Sequence, residues 1–159
     1  MLQMKVLQQA RGTRISMLDS MNLWIEIARD DLLAVMKSVD LIIINDGEVR
    51  MLAEDDNLIR ASRQLIGMVG CQTLIIKKGE NGVLAFHGDD MIALPAYPTE
   101  NVVDPTGCGD SFAGTIAACL AANNGPISKS ELRDALIRAT VTASFTLESF
   151  GTSGLIGLT

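Results

Sequence analysis

The chain has 159 residues, 48% of them hydrophobic and 20% charged, with a formal net charge of −6. That mixture describes a packed domain with a real core and excludes a disordered chain, while the negative balance disfavours nucleic acid or an anionic membrane as the main partner. No apolar run approaches the roughly 18–20 residues of a membrane helix, and the first residues lack the charged-then-apolar layout of a secretory leader. Cys71, Cys108 and Cys119 lack metal spacing and suit free thiols in a reducing cytoplasm.

In chain order, residues 4–10 read as the end of a helix broken at Gly12, and 14–18 as a strand ending at Asp19. A helix follows over 22–38, with Leu23, Ile27, Leu32 and Val35 as its apolar stripe. Leu41, Ile42, Ile43 and Ile44 form the short continuous apolar run of a buried parallel strand. Residues 48–53 and 57–68 are helical, and 73–77 is the next strand. This alternation predicts right-handed crossovers and a parallel sheet with helices on both faces. Residues 83–87 and 91–94 then flank Gly88-Asp89-Asp90 as a β-hairpin. A short β-like segment, Asn101-Val102-Val103, leads through two glycines into an Ala-rich helix ending at Ala122. Ser128 and Glu131 form a capping box for a last helix, with Leu132, Leu136, Ala139 and Ala143 on one face. No internal repeat or linker interrupts the chain.

The most informative stretch is Asp104-Pro105-Thr106-Gly107-Cys108-Gly109-Asp110. Free amides at a helix start, brought close by glycines, make a pocket for an anion. A carboxylate at its rim, Asp110, would repel a resting phosphate but can take a proton from a hydroxyl that attacks phosphorus. The plainer reading is a tight turn with Asp110 as a cap. A Gly-x-x-x-x-Gly-Lys-Ser/Thr phosphate loop is absent, and Phe112 stands where a dinucleotide fingerprint needs its third glycine.

These residues resemble the signature Asp-Thr-x-Gly-Ala-Gly-Asp of the PfkB, or ribokinase-like, sugar and nucleoside kinases, with Pro105 and Cys108 as the two departures. The resemblance implies a three-layer αβα, mostly parallel sheet with a β-hairpin. It also implies ATP and Mg²⁺ as cofactors, a sugar or nucleoside as substrate, and a monovalent cation near Phe150-Gly151-Thr152-Ser153-Gly154. Asp110 would be the base, and the amides of Gly107, Cys108 and Gly109 would hold the phosphoryl group.

Asn45-Asp46-Gly47-Glu48 matches the family's Asn-x-x-Glu motif, where Asn45 and Glu48 organise Mg²⁺ through water; the other reading is a capped helix start. Lys77-Lys78-Gly79-Glu80-Asn81-Gly82 resembles the Gly-x-x-Gly segment beside the nucleotide, and is otherwise a hairpin turn with a solvated lysine pair. Asn45, Lys77, Gly79, Gly82 and Thr106 are the expected nucleotide contacts. Asp19-Ser20-Met21-Asn22 resembles a strand-end motif that shapes a loop, and His87, the only histidine, is expected to pack or lie at the surface rather than act as a base.

The resemblance covers residues 1–159 as the C-terminal, nucleotide-binding and catalytic portion of such a kinase, lacking the N-terminal part that grips the acceptor and the small β-sheet lid. The expected activity is ATP-dependent phosphoryl transfer to a sugar or nucleoside hydroxyl by a cytoplasmic protein, with self-association through uncovered apolar surface. The rival reading is a non-catalytic nucleotide-binding remnant or interaction module.

Overall fold

A computed structural model describes residues 2–10 and 12–158; Met1 and Thr159, where the expected domain starts and stops, lie outside the described residues. The chain divides into two compact units, Met1–Lys78 with Leu84–Met91, and Gly79–Val83 with Ile92–Thr159.

The first unit opens with α1 (Leu2–Gln9), β1 (Met17–Asp19) and α2 (Asn22–Met36). It continues through β2 (Leu41–Asn45), α3 (Asp46–Ala53), α4 (Leu58–Val69) and β3 (Thr73–Lys77). β1 pairs with β2 and β2 with β3, both parallel, with Asp19 opposite Ile43 and Asn45 opposite Lys77. Strand residues alternate between faces. Ile42, Ile44, Leu74, Ile76, Leu84 and Phe86 thus meet Leu32, Val35 and Met36 of α2, Val49 and Leu52 of α3, and Ala61 and Leu65 of α4 in one apolar core. Leu41, Ile43 and Ile75 on the alternate positions are also fully buried, as a continuous apolar run requires.

β4 (Val83–His87) and β5 (Asp90–Leu94) complete a five-stranded sheet of order β1-β2-β3-β4-β5. The sheet is mixed, which corrects the mostly parallel sheet expected from the sequence. Parallel neighbours need a crossover of a dozen or more residues. Only Lys78 to Gly82 link β3 to β4, and only Gly88 and Asp89 link β4 to β5, so these strands turn back on one another. Accordingly the end of β4 lies beside the start of β3: Gly88 N donates to Gln72 O at 3.1 Å, and Thr73 Oγ1 lies 2.8 Å from His87 Nδ1.

Two further expectations change. The apolar stripe of α2 breaks, because Ala28 is non-helical (φ −151°, ψ 40°) and shifts the helical phase. Leu23 and Ile27 are consequently exposed while Ile25, Leu32 and Val35 are buried. Just past the kink, Arg29 Nη2 donates at 2.8 Å to Leu52 O, a carbonyl in the last turn of α3. Asn101-Val102-Val103 forms no strand, and Val102 and Val103 are exposed. The backbone there is satisfied instead by the helix end, where Val103 N and Asp104 N both donate to Leu147 O at 2.9 and 3.2 Å.

The second unit is dominated by α5 (Cys108–Ala121) and α6 (Lys129–Leu147), which pack along one another. Phe112, Ile116 and Leu120 of α5 and Leu132, Leu136 and Ala139 of α6 are buried at helical spacing. The capping box read from Ser128 and Glu131 is present: Ser128 Oγ accepts from Glu131 N at 3.1 Å, and Glu131 Oε2 from Ser128 N at 3.5 Å. Ser128→Ala is therefore expected to cost about 1 kcal/mol, measurable as a lower urea midpoint at unchanged m-value.

Candidate functional site

The candidate residues fall in two places, one in each unit. In the first, the parallel strands end together, and the C-terminal edge of such strands is where open α/β sheets bind ligands. β1 ends at Asp19, β2 at Asn45 and β3 at Lys77. Asn45 is the N-cap of α3: its Oδ1 accepts from Glu48 N at 2.8 Å, while Glu48 Oε2 accepts from Asn45 N at 2.9 Å. The capped helix start weighed for this motif is thus present in full. Glu48 is only 1% exposed. Burial pushes its carboxyl above the ordinary value, opposed by the Asn45 amide and by the charge of Lys77. Asp46 is engaged separately, its Oδ2 2.6 Å from Arg50 Nη1.

Lys77 is paired across the sheet end with Asp19. Its Nζ donates to Asp19 Oδ1 at 2.9 Å and Oδ2 at 2.7 Å. The partners stand 58 residues apart in the chain, so no local pattern foretells the pair. His87 is half-buried, its Nδ1 2.8 Å from Thr73 Oγ1.

In the second unit, the signature loop is shaped by its own side chains. Asp104 Oδ1 accepts from Thr106 N at 2.9 Å, an Asx turn across Pro105. The Thr106 amide and hydroxyl hold the Asp104 carboxyl below its ordinary value. Gly107 is the N-cap of α5 at φ 86°, ψ −4°, a left-handed conformation that favours glycine, and no side chain caps the helix there. Of the three amides expected to face an anion, that of Cys108 donates to Pro105 O at 3.2 Å. The Gly109 and Asp110 amides have no hydrogen-bond partner among the described residues. Asp110 lies in the first turn of α5 with its side chain exposed.

The loop rests on α6. Cys108 Sγ points to Ala143 O at 3.6 Å, Ser111 Oγ donates to Cys108 O at 3.1 Å, and Thr146 Oγ1 donates to Ser111 Oγ at 2.8 Å. Burial, and then the Asp104 charge, raise the Cys108 thiol above its ordinary value. The Ser111 and Thr146 bracing was not read from the sequence, since neither residue stands out in its own segment.

Gly79 and Gly82 differ. Gly79 (φ 55°) opens a single 3₁₀ turn, and a Cβ there would meet open space. At Gly82 (φ 83°) a Cβ would stand 2.1 Å from Leu94 O and 2.6 Å from the Pro95 carbonyl carbon, so the chain itself fills that space. Beyond α6, Gly151 takes φ 63° and Ser153–Leu155 form another 3₁₀ turn, in which a Cβ on Gly154 would lie 2.1 Å from Phe145 O.

No group of three or more His, Cys, Asp or Glu side chains able to hold a metal occurs among the described residues. The donor set at Asn45 and Glu48, one carboxamide and one carboxylate, cannot cage a cation by itself. It does fit Mg²⁺ that keeps much of its water and takes its remaining oxygens from phosphates. Among the described residues no helix is long and apolar enough to cross a membrane.

The chain thus carries, in one unit, an uncapped, glycine-started helix with an acid in its first turn and, in the other, a polar edge on parallel strands; α/β proteins commonly bind anionic ligands at either kind of place. The chain belongs to the pfkB family of carbohydrate kinases, which matches it over residues 1–156. It is 36% identical over 121 residues to the cytidine kinase of Thermococcus kodakarensis, covering 73% of this chain and 42% of that protein. It is 31% identical over 112 residues to fructokinase-2 of Oryza sativa, covering 70% and 33%. Among solved structures, adenosine kinase from Sinorhizobium meliloti superposes with a TM-score of 0.80 at 21% identity, covering 94% of this chain and 45% of that one. Aminoimidazole riboside kinase from Salmonella enterica, solved with aminoimidazole riboside and an ATP analogue, gives 0.75 at 24%, covering 92% and 50%. These likenesses establish the three-layer ribokinase-like α/β fold, with the mixed sheet described above. The chain spans less than half the length of the cytidine kinase and the fructokinase it matches.

Proposed function

We propose that this chain supplies the nucleotide-binding and catalytic portion, residues 1–159, of a kinase that moves the γ-phosphoryl group of ATP to a hydroxyl of a carbohydrate, free or within a nucleoside. The observation that carries the reading is the start of α5, where Gly107 leaves the helix without a side-chain cap and Asp110 stands exposed in the first turn. The acceptor oxygen attacks the γ-phosphorus, its proton passes to the Asp110 carboxylate, and ADP leaves with the electron pair of the broken P–O bond. The amides of Gly107, Gly109 and Asp110 hold the charge on the transferred group, while Cys108, whose amide donates to Pro105 O, shapes the turn. Thr106, Lys77, Gly79 and Gly82 are assigned to the nucleotide side, and the turn after α6 to a monovalent cation.

Mg²⁺, when bound with ATP, neutralises charge on the phosphates. Asn45 and Glu48 would orient its water shell. Glu48→Gln is accordingly expected to raise the Mg²⁺ concentration for half-maximal ATP binding severalfold, read by calorimetric titrations across a Mg²⁺ series. An unchanged Mg²⁺ dependence would return the pair to a helix cap alone. The free thiols Cys71, Cys108 and Cys119 suit a cytoplasmic site of action, where ATP is also available.

The direct test has two parts. The 159-residue chain should bind ATP in Mg²⁺ by calorimetry, and absence of binding at millimolar nucleotide would sink the reading. An ADP-release assay across sugars and nucleosides then asks for turnover. Nucleotide binding with no acceptor-dependent turnover from any form containing this chain would favour the non-catalytic remnant.

A further inference from the structure

The Asp19–Lys77 pair lies where a polyanion is expected and spends a cation there. Both side chains are about three-quarters covered, at 28% and 23% exposure, and the ammonium meets both carboxylate oxygens. The contact reaches across the end of β2, since Asp19 is in register with Ile43 and Lys77 with Asn45. Nearby, Asp46 is committed to Arg50, and Glu48 to the Asn45 backbone. A lysine placed to hold phosphate gains most when no carboxylate cancels it, so this pairing works against attraction of a bare triphosphate. A divalent cation on the nucleotide reduces the charge that Asp19 opposes.

Resting on the kinase reading, we propose that Asp19 is a specificity-determining residue that makes this edge discriminate metal-loaded from metal-free nucleotide. By neutralising Lys77 it lowers affinity for the bare triphosphate more than for its Mg²⁺ complex. A plain structural tie between β1 and β3 has a different signature, because its loss would weaken both forms alike.

The experiment measures Kd of the 159-residue chain for ATP in excess Mg²⁺ and for ATP in EDTA, and takes the ratio of metal-free to metal-loaded Kd. Asp19→Asn should lower that ratio by about tenfold, mostly by tightening metal-free binding, and more at low ionic strength. Lys77→Gln should move the ratio the other way, since it leaves the carboxylate unopposed. The double variant should return it near the wild-type value, and Asp19→Glu should preserve it. Thermal melts and circular dichroism accompany each variant; if Asp19→Asn fails to fold, the opposite shift in Lys77→Gln carries the test. Nucleotide binding by the wild type with a ratio that neither substitution moves would overturn the role of Asp19 and leave the kinase reading standing. A wild-type chain that binds neither form would overturn both.

Discussion

In an active kinase containing this chain, Asp110→Asn lowers kcat by at least about 10²-fold and leaves the Kd for nucleotide within about twofold. The change removes proton-accepting capacity while keeping size and hydrogen-bonding atoms, and the site chain is exposed, so no packing is lost. Its stability effect is confined to the favourable meeting of a carboxylate with the α5 N-terminus, about 0.3–1 kcal/mol. The two readouts therefore separate: turnover collapses, whereas melting temperature and nucleotide titrations barely move. Retention of more than about a tenth of the wild-type rate would remove Asp110 from the role of base, and the glycine-started helix would remain as an anion site only.

The largest structural effect is expected at Gly82. Gly82→Ala places a methyl group 2.1 Å from Leu94 O and 2.7 Å from Ala96 N, on a backbone at φ 83°. Left-handed backbone costs a non-glycine residue about 1–2 kcal/mol, and forcing an extra carbon against main chain adds about 1–3 kcal/mol. The loss, about 2–5 kcal/mol, is a large fraction of a typical domain's stability. Gly79→Ala is the internal control: it shares the positive φ, at 55°, but meets nothing within 4 Å. Urea unfolding of the two variants should differ by about 1–3 kcal/mol. Equal losses would mean that the strand exit at Leu94 yields, and that backbone conformation alone requires glycine at both positions.

Much of this architecture is written locally. The β3 span and the Ser128–Glu131 cap rest on short-range patterns, a β-branched run and a three-residue spacing, and both are present where the sequence places them. The Gly107 turn is legible for the same reason, since glycine, Asx geometry and helix start all lie within a few residues. What escapes a local reading is non-local. Strand-helix alternation holds through β3 and then gives way to the β4–β5 hairpin, and strand direction beyond that point depends on connection lengths, so the sheet is mixed rather than mostly parallel. Leu23 and Ile27 keep helical spacing, yet the Ala28 kink turns them outward. The partner of Lys77 is settled by sheet register, which brings Asp19 within reach over 58 residues of sequence. Asn45 and Glu48 show another limit, because a capping box and a metal-ordering pair use the same two residue types at the same spacing.

The fastening of the signature loop to α6 bears on the entropy of ligand capture. Leu147 O receives two consecutive amides from the loop's entry, and the Thr146–Ser111–Cys108 chain of hydroxyl contacts holds its exit. Conformational freedom of these residues is thus surrendered when the protein folds rather than when an anion arrives. If the loop receives a phosphate as proposed, the ligand need not order it, so more of each hydrogen bond formed appears as affinity. On the kinase reading, loosening Thr146 would transfer that ordering cost to the binding step and weaken phosphate capture from behind.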